Sequence, residues 1–373
     1  MNPRLMAGPW ITDLERKYVA DALTEESWYD KRYYYVEKFE KEFALYHDRK
    51  HALMTPNCTQ AIHLLLLSLG IKEGDEVIVP ECTWTSSAAP VTYCKATPIF
   101  CDILRDSWCV NPEEVRNNIT AKTKAIIAVD LYGNMANMEE LEKISKEFNI
   151  PLIEDSAEAL GSVYRGKRAG KFGVGSVFSF HSTKTITTGE GGMLLLDDEK
   201  LYKRAKFLRD LGRDEKRSYW ILETGPKYMP DNLRASLGYA QFLRLKELVD
   251  KKRWIFEKFK EKLSEIKGLQ FNVDNNDVYN SVWATSIVWD DSYGFDAEYV
   301  AKKLGEVNLP ARHFFYPLSS MPGYSHYKTG SMEKNPVAYD ISSRGLTLPC
   351  ALVLKEEDID EYANALIKIF KNE

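Results

Sequence analysis

The chain has 373 residues, is 44% hydrophobic, and carries 50 Lys and Arg against 55 Asp and Glu, a net charge of −5. That length supports one large core or a large domain with a smaller companion, and a balance without a polybasic surface argues against a nucleic-acid partner. No apolar run reaches the ~18 residues of a membrane span, the opening MNPRLMAGPW lacks the basic-then-apolar order of a secretory signal, and the six scattered cysteines (Cys58, Cys82, Cys94, Cys101, Cys109, Cys350) form no CxxC pair, as expected of reduced thiols in a cytoplasmic protein.

Thr12 and Glu15 form a capping box ahead of the stripe Leu14, Tyr18, Val19 and Ala22, which predicts a helix over 12–24. A second helix is expected over 35–47. His47 and His51 are four apart, but the spacing reads as a solvated loop, and no metal site is expected. From residue 51 a strand–turn–helix rhythm begins. HALM is a short strand, TPNC a turn, and TQAIHLLLLSLG a helix closed by Gly70. DEVIVP, ATPIFCDI, KAIIAVDLYG, IPLIED, VGSVFSF and GGMLLLDD read as further strands, with MEELEKISKEF a helix between two of them. Apolar runs alternating with helices predict a mostly parallel sheet covered on both faces. Near residue 230 the pattern changes. A proline-free helical stretch runs from about 232 to 266, followed by the strand SVWATSIVW, the helix DAEYVAKKLGEV and a C-terminal helix from Glu356. The expected division is a large domain over 1–240 and a small α+β domain over 241–373.

Four segments carry chemistry. The turn TPNCTQ stands between a strand and a helix, where unpaired N–H groups and the helix dipole favour phosphate. Thr59 adds a hydroxyl there, although an ordinary N-cap by Asn57 or Thr59 is the plainer reading of the turn taken alone. Asp155 ends an apolar parallel strand, where doubly wound sheets bind ligands. It can hold a cationic ring nitrogen or simply cap a helix starting at Ser156. Lys184 lies between an apolar strand and the glycine-rich turn TTGEGG, a setting in which a desolvated amine can form an imine. Ser179, at the end of that strand, is a second candidate phosphate ligand. Trp84, in VPECTWTSS, offers either a face for a flat ring or a core side chain.

In this order, PNCTQAIHLLLLSLGIKEGDEVIVPECTWTSSA, LIEDSAEALGS, FSFHSTKTITTGEGGM, RHFFYP and LTLP resemble the sugar aminotransferases of the DegT–DnrJ–StrS family, a branch of the fold-type I, aspartate aminotransferase-like superfamily. The resemblance spans residues 8–370. It implies an α/β fold, with a mainly parallel mixed sheet in the large domain, and pyridoxal 5′-phosphate as cofactor. It makes Lys184 the Schiff-base lysine and proton carrier, Asp155 the partner of the pyridine nitrogen, and Glu158 the polar residue near the ring hydroxyl. Trp84 would stack on the ring. Thr59, the Gln60 amide and Ser179 would hold the phosphate. The family works as a homodimer with shared active sites. Its substrates imply L-glutamate as donor and a nucleotide-linked 4-keto-6-deoxy sugar as acceptor, with HSTKTITTGEGGM looking most like enzymes that make perosamine on a GDP-linked substrate for surface glycans such as O-antigen. Trp28, Arg32, His313 and Tyr316 are the candidate sugar-side residues.

The chain departs from the pattern at KYMP, where Lys227 replaces the asparagine that reaches the partner's cofactor phosphate. It also departs at Asp130, where many relatives carry histidine, and at KRYYY, where Tyr33 adds bulk. A 3-dehydratase would carry histidine in place of Lys184. A 3-amino-sugar or aminocyclitol aminotransferase, and a cofactor-binding regulator without catalysis, are the competing readings.

Overall fold

The computed structural model describes residues 6–371; the first five residues of the opening segment lie outside that range. Its centre is a seven-stranded sheet in the order His51–Thr55, Gly192–Leu196, Gly175–Ser179, Leu152–Asp155, Thr123–Val129, Glu76–Pro80, Thr97–Cys101. The last five pair in parallel. Gly192–Leu196 alone runs against them, so the sheet is the mixed, mainly parallel one the apolar runs predict. Helices Cys58–Ser68 and Met138–Phe148 follow two of these strands. The strands are buried almost throughout, because both faces are covered.

The capping box is present: the Thr12 backbone N–H donates to Glu15 Oε2 at 2.7 Å, and Thr12 Oγ1 accepts from the Leu14 N–H at 3.3 Å. The helix it starts is Asp13–Ala22. Gly70, at φ +81°, closes the Cys58–Ser68 helix.

Two expectations are corrected. The stretch from 232 is two helices, Asn232–Leu243 and Leu245–Lys262, parted at Arg244. There the guanidinium bonds Glu15 Oε1 at 2.6 Å and the Trp10 carbonyl at 3.1 Å, tying the break to the N-terminal segment. His47 is not solvated. It is buried against Phe43, Tyr46 and Phe178, and its Nδ1 lies 2.8 Å from the Phe43 carbonyl. Burial lowers its pKa to about 3. His51 opens a strand and pairs with Glu199.

The C-terminal part contains a four-stranded sheet, ordered Leu269–Phe271, Ser286–Trp289, Gly345–Thr347, Arg312–His313, packed on helices Leu245–Lys262, Ala297–Glu306 and Glu356–Lys371 around their own apolar cluster. The N-terminal segment bonds to this part through the Cys350 and Leu352 N–H groups. All six cysteines are buried and free. Among the described residues no helix is long and apolar enough to cross a membrane, and no three His, Cys, Asp or Glu are grouped to hold a metal ion.

Candidate active site

The parallel strands end along one rim, and the segments leaving them enclose a cavity of about 670 Å³. After Thr55 come Asn57, Cys58 and Thr59, and after Pro80 come Trp84 and Ser87. Tyr132 follows Val129, and Lys184 follows Ser179. The C-terminal part closes the opposite side with Trp283, Arg312 to Tyr316, and Met321. A crevice outside the carboxyl ends of such strands is where doubly wound sheets bind their ligands.

Asp155 is 3% exposed. No helix follows it, which removes the helix-cap alternative. One oxygen accepts from Ser87 Oγ at 2.7 Å and the other from the Ala157 N–H at 3.1 Å. Burial pushes its carboxyl above the usual aspartate range and only neutral donors bond it, so a cation arriving in the cavity would favour its ionised form. Glu158 faces the same space. Its Oε2 accepts from the Tyr132 N–H at 2.9 Å, and its Oε1 lies 3.0 Å from Lys184 Nζ. Lys184 Nζ also stands 3.8 Å from the centre of the Trp283 ring.

The turn beneath Thr59 is tightly made. Asn57 caps the helix, its Oδ1 accepting from the Gln60 N–H at 2.9 Å, so the N–H groups of Cys58 and Thr59 open toward the cavity. Gly192 packs directly under this turn, where a Cβ would come within 2.5 Å of the Asn57 carbonyl carbon. An anion cradle of backbone N–H groups, a buried carboxylate on the next strands and a primary amine between them fit pyridoxal phosphate.

Of the residues singled out from the sequence, Thr59, Trp84, Asp155, Glu158, Ser179, Lys184, His313 and Tyr316 line this cavity. Trp84 is 54% exposed, tilted against Phe315 at 5.9 Å. His313 and Tyr316 stack on each other 5.7 Å apart, and both approach Glu298. Gln60, Trp28, Arg32 and Lys227 do not line it within one chain. The Gln60 backbone N–H is taken by Asn57. Trp28 is exposed on the short helix Glu25–Tyr29, the Arg32 guanidinium lies over the Tyr33 ring, and Lys227 pairs with Asp210. Tyr132, Trp283 and Arg312 are cavity residues that sequence reasoning did not pick out. Arg312 stood in view inside RHFFYP, while Trp283 was read only as part of a strand.

A doubly wound large sheet with a smaller C-terminal sheet, and a lysine facing acidic groups at the strand ends, defines a fold-type I, aspartate aminotransferase-like α/β enzyme. The chain belongs to the DegT/DnrJ/EryC1/StrS aminotransferase family, whose pattern matches residues 10–367. It is 37% identical to a GDP-perosamine synthase of Escherichia coli O157:H7, covering 94% of each chain. It is 35% identical to a GDP-perosamine synthase of Vibrio cholerae, covering 97% of this chain and 98% of the other. Among solved structures it superimposes with a TM-score of 0.89 on Spr1654 of Streptococcus pneumoniae, described as a sugar aminotransferase and solved in its PLP form, at 26% identity and 98% coverage of each chain.

Proposed function

We propose that the protein is a pyridoxal phosphate-dependent aminotransferase that moves an amino group from L-glutamate to a nucleotide-linked 4-keto-6-deoxy sugar, giving a 4-amino-4,6-dideoxy sugar of the perosamine kind. The observation that carries this reading is the Lys184 amine, 3.0 Å from Glu158 in a cavity that also holds the buried Asp155. Two relatives named GDP-perosamine synthase, each aligned over nearly the whole chain, favour a GDP-linked acceptor.

Bound in this cavity, the cofactor supplies an aldehyde that carries the amino group and a pyridinium ring that takes up the electron pair of the donor's Cα–H bond. Lys184 Nζ would be its attachment point and, when free, would take the proton from the donor α-carbon. Asp155 keeps the ring nitrogen protonated by facing it with negative charge. Glu158 accepts from groups at the ring hydroxyl edge and holds Lys184 in reach. The N–H groups of Cys58 and Thr59, with the hydroxyls of Thr59 and Ser179, receive the phosphate. Trp84 would cover one ring face. Arg312 is the only guanidinium on the cavity wall among the described residues and suits a donor carboxylate. His313 and Tyr316 lie where an acceptor sugar would enter. In a homodimer Lys227 would meet the partner's cofactor phosphate; Trp28 and Arg32 remain the candidates for the sugar nucleotide, while the Gln60 N–H is already taken by Asn57. The pathway is surface glycan synthesis in the cytoplasm.

The test is a panel of GDP-, UDP- and dTDP-linked 4-keto sugars with L-glutamate, following 2-oxoglutarate and identifying the amino sugar by NMR. The reading requires a 4-amino product with one nucleotide strongly preferred and no turnover by Lys184→Ala. Full activity in that variant would overturn it.

A further inference from the structure

Over a full aminotransferase cycle the lysine amine must leave the cofactor once, carry a proton in each half reaction, and return once. A long side chain with four rotatable bonds would wander on release unless something held its tip. Lys184 Nζ is held on two sides. Glu158 Oε1 lies 3.0 Å away, and the Trp283 ring centre lies 3.8 Å away, inside the range of a strong cation–π contact.

We propose that Trp283 is a positioning residue for Lys184, its indole face and the Glu158 carboxylate forming a seat that keeps the released amine beside the reacting atoms. This rests on the aminotransferase reading above. The seat is built from the lysine's own surroundings. Trp283 Nε1 donates to the Thr183 carbonyl at 2.7 Å, so the ring is tied to the residue before Lys184. The same ring runs parallel to Tyr132, 5.9 Å away with a 7° tilt. The Tyr132 N–H holds Glu158 Oε2, so one residue orients both halves of the seat. Tyr132 does this from a left-handed backbone at φ +55°, a conformation an aromatic residue rarely takes. Its hydroxyl accepts from the Phe315 N–H at 3.1 Å, and its ring runs nearly parallel to Phe315 at 5.1 Å. The C-terminal part thereby braces the position. Bulk alone would need only an apolar side chain at 283. The ring face over the amine and the indole N–H on Thr183 are what bulk does not require.

The experiment compares Trp283→Phe, which keeps a ring face but not the indole N–H, with Trp283→Leu, which keeps neither. In the cofactor-free protein, acetylation of Lys184 by a water-soluble acetylating reagent is timed by mass spectrometry against the surface lysines. A desolvated cation–π contact corresponds to about a ten-fold or greater preference for the seated tip. Trp283→Leu should therefore acetylate at Lys184 about ten-fold faster than the parent, and Trp283→Phe within about three-fold of it. In the loaded enzyme, Trp283→Leu should lower kcat by about ten-fold and leave both KM values within about two-fold. Equal acetylation rates in the two variants would mean that only access or packing had changed, and the proposal would be overturned. If the leucine variant does not reach the parent's thermal midpoint, Trp283→Met takes its place, filling the gap without a ring. Acetylation of the cofactor-free chain does not depend on which sugar is aminated. Failure of the seat and failure of the function assignment are thus read separately, the latter by Lys184→Ala and the sugar panel.

Discussion

Gly192→Ala places one methyl group where the structure has no room for it. Gly192 lies in register between Thr55 and Ser179, and its missing Cβ would stand 2.5 Å from the Asn57 carbonyl carbon, 2.6 Å from the Cys58 nitrogen and 2.7 Å from the Asn57 oxygen. Carbon–carbon contact is comfortable at about 3.5 Å, so the Asn57–Cys58 turn must retreat by about 1 Å. The neighbours are backbone atoms and cannot swing aside as a side chain tip would. The displaced atoms open the Cys58–Ser68 helix, whose first N–H groups are assigned to the phosphate. Losing one such charge-assisted hydrogen bond costs about 1.5–3 kcal/mol, a ten- to hundred-fold loss of pyridoxal phosphate affinity. Overpacking should also lower stability by about 1–3 kcal/mol. Affinity is measured by fluorescence titration of the cofactor-free protein, and stability by thermal melting. Gly305→Ala is the control: Gly305 sits in the helix Ala297–Glu306 with nothing within 4 Å of its would-be Cβ. A folded Gly192→Ala that binds the cofactor within two-fold of the parent would show that this turn is not the phosphate cradle.

Three further outcomes are expected. Burial raises the folded pKa of Asp155, so its contribution to stability is present below the free aspartate value near about 4 and is lost as pH rises through the raised folded value; a cationic ring nitrogen opposite reverses that loss, and the rise in melting temperature on loading pyridoxal phosphate should grow as pH rises above that free value, a flat profile counting against the assignment. His47 has its pKa lowered from 6.5 to about 3, so stability is complete above about pH 6.5 and falls toward pH 3 by up to about 5 kcal/mol; His47→Phe should flatten the acid limb of a urea-denaturation series, and an unchanged limb would exclude His47 as its source. Arg312→Ala should raise the KM for L-glutamate about ten-fold or more, as expected for a lost charged hydrogen bond, with cofactor affinity unchanged, and an unchanged KM removes Arg312 from donor binding.

What could be read ahead of the structure was local. Buried parallel strands are continuous apolar runs, and IPLIED and VGSVFSF announce themselves as such. The Thr12–Glu15 box and Gly70 mark helix ends because capping acts within a few residues. Lys184 and Asp155 are legible because Asp155 ends its strand and Lys184 lies in the turn that leaves the strand Gly175–Ser179. Misreadings arose where distant residues decide. Nothing in the sequence around Arg244 breaks a helix; the break is held by Trp10 and Glu15, more than 200 positions away. His47, at the end of the helix Tyr34–Tyr46, is buried because Phe178 of the strand Gly175–Ser179 closes over it. SVWATSIVW has the composition of one strand, yet only Ser286–Trp289 is strand, since Val282 turns at φ +52° and Trp283 bends to the Thr183 carbonyl. Trp28, Arg32 and Lys227 come from the resemblance alone, and within one chain they lie away from the cavity wall.

Four carboxyl groups, Asp130, Glu154, Asp155 and Glu158, are buried at adjacent strand ends, an arrangement that costs stability unless each is satisfied. Glu154 takes the N–H groups of Gly170 and Phe172, and Asp130 those of Ala136 and the Ser156 hydroxyl. Neither lines the cavity, so nothing arriving there can reach them. Burial pushes both upward, as it does Asp155. Glu158 already has an ammonium, that of Lys184. Glu190, also on the cavity wall, is exposed and stands 3.7 Å from His181. Asp155 is thus the buried acid of the wall that only a hydroxyl and an amide hold, and the one a bound cation relieves most. The proposed pairing of the ring nitrogen with Asp155 and of the amine with Glu158 rests on that asymmetry, whichever sugar is aminated.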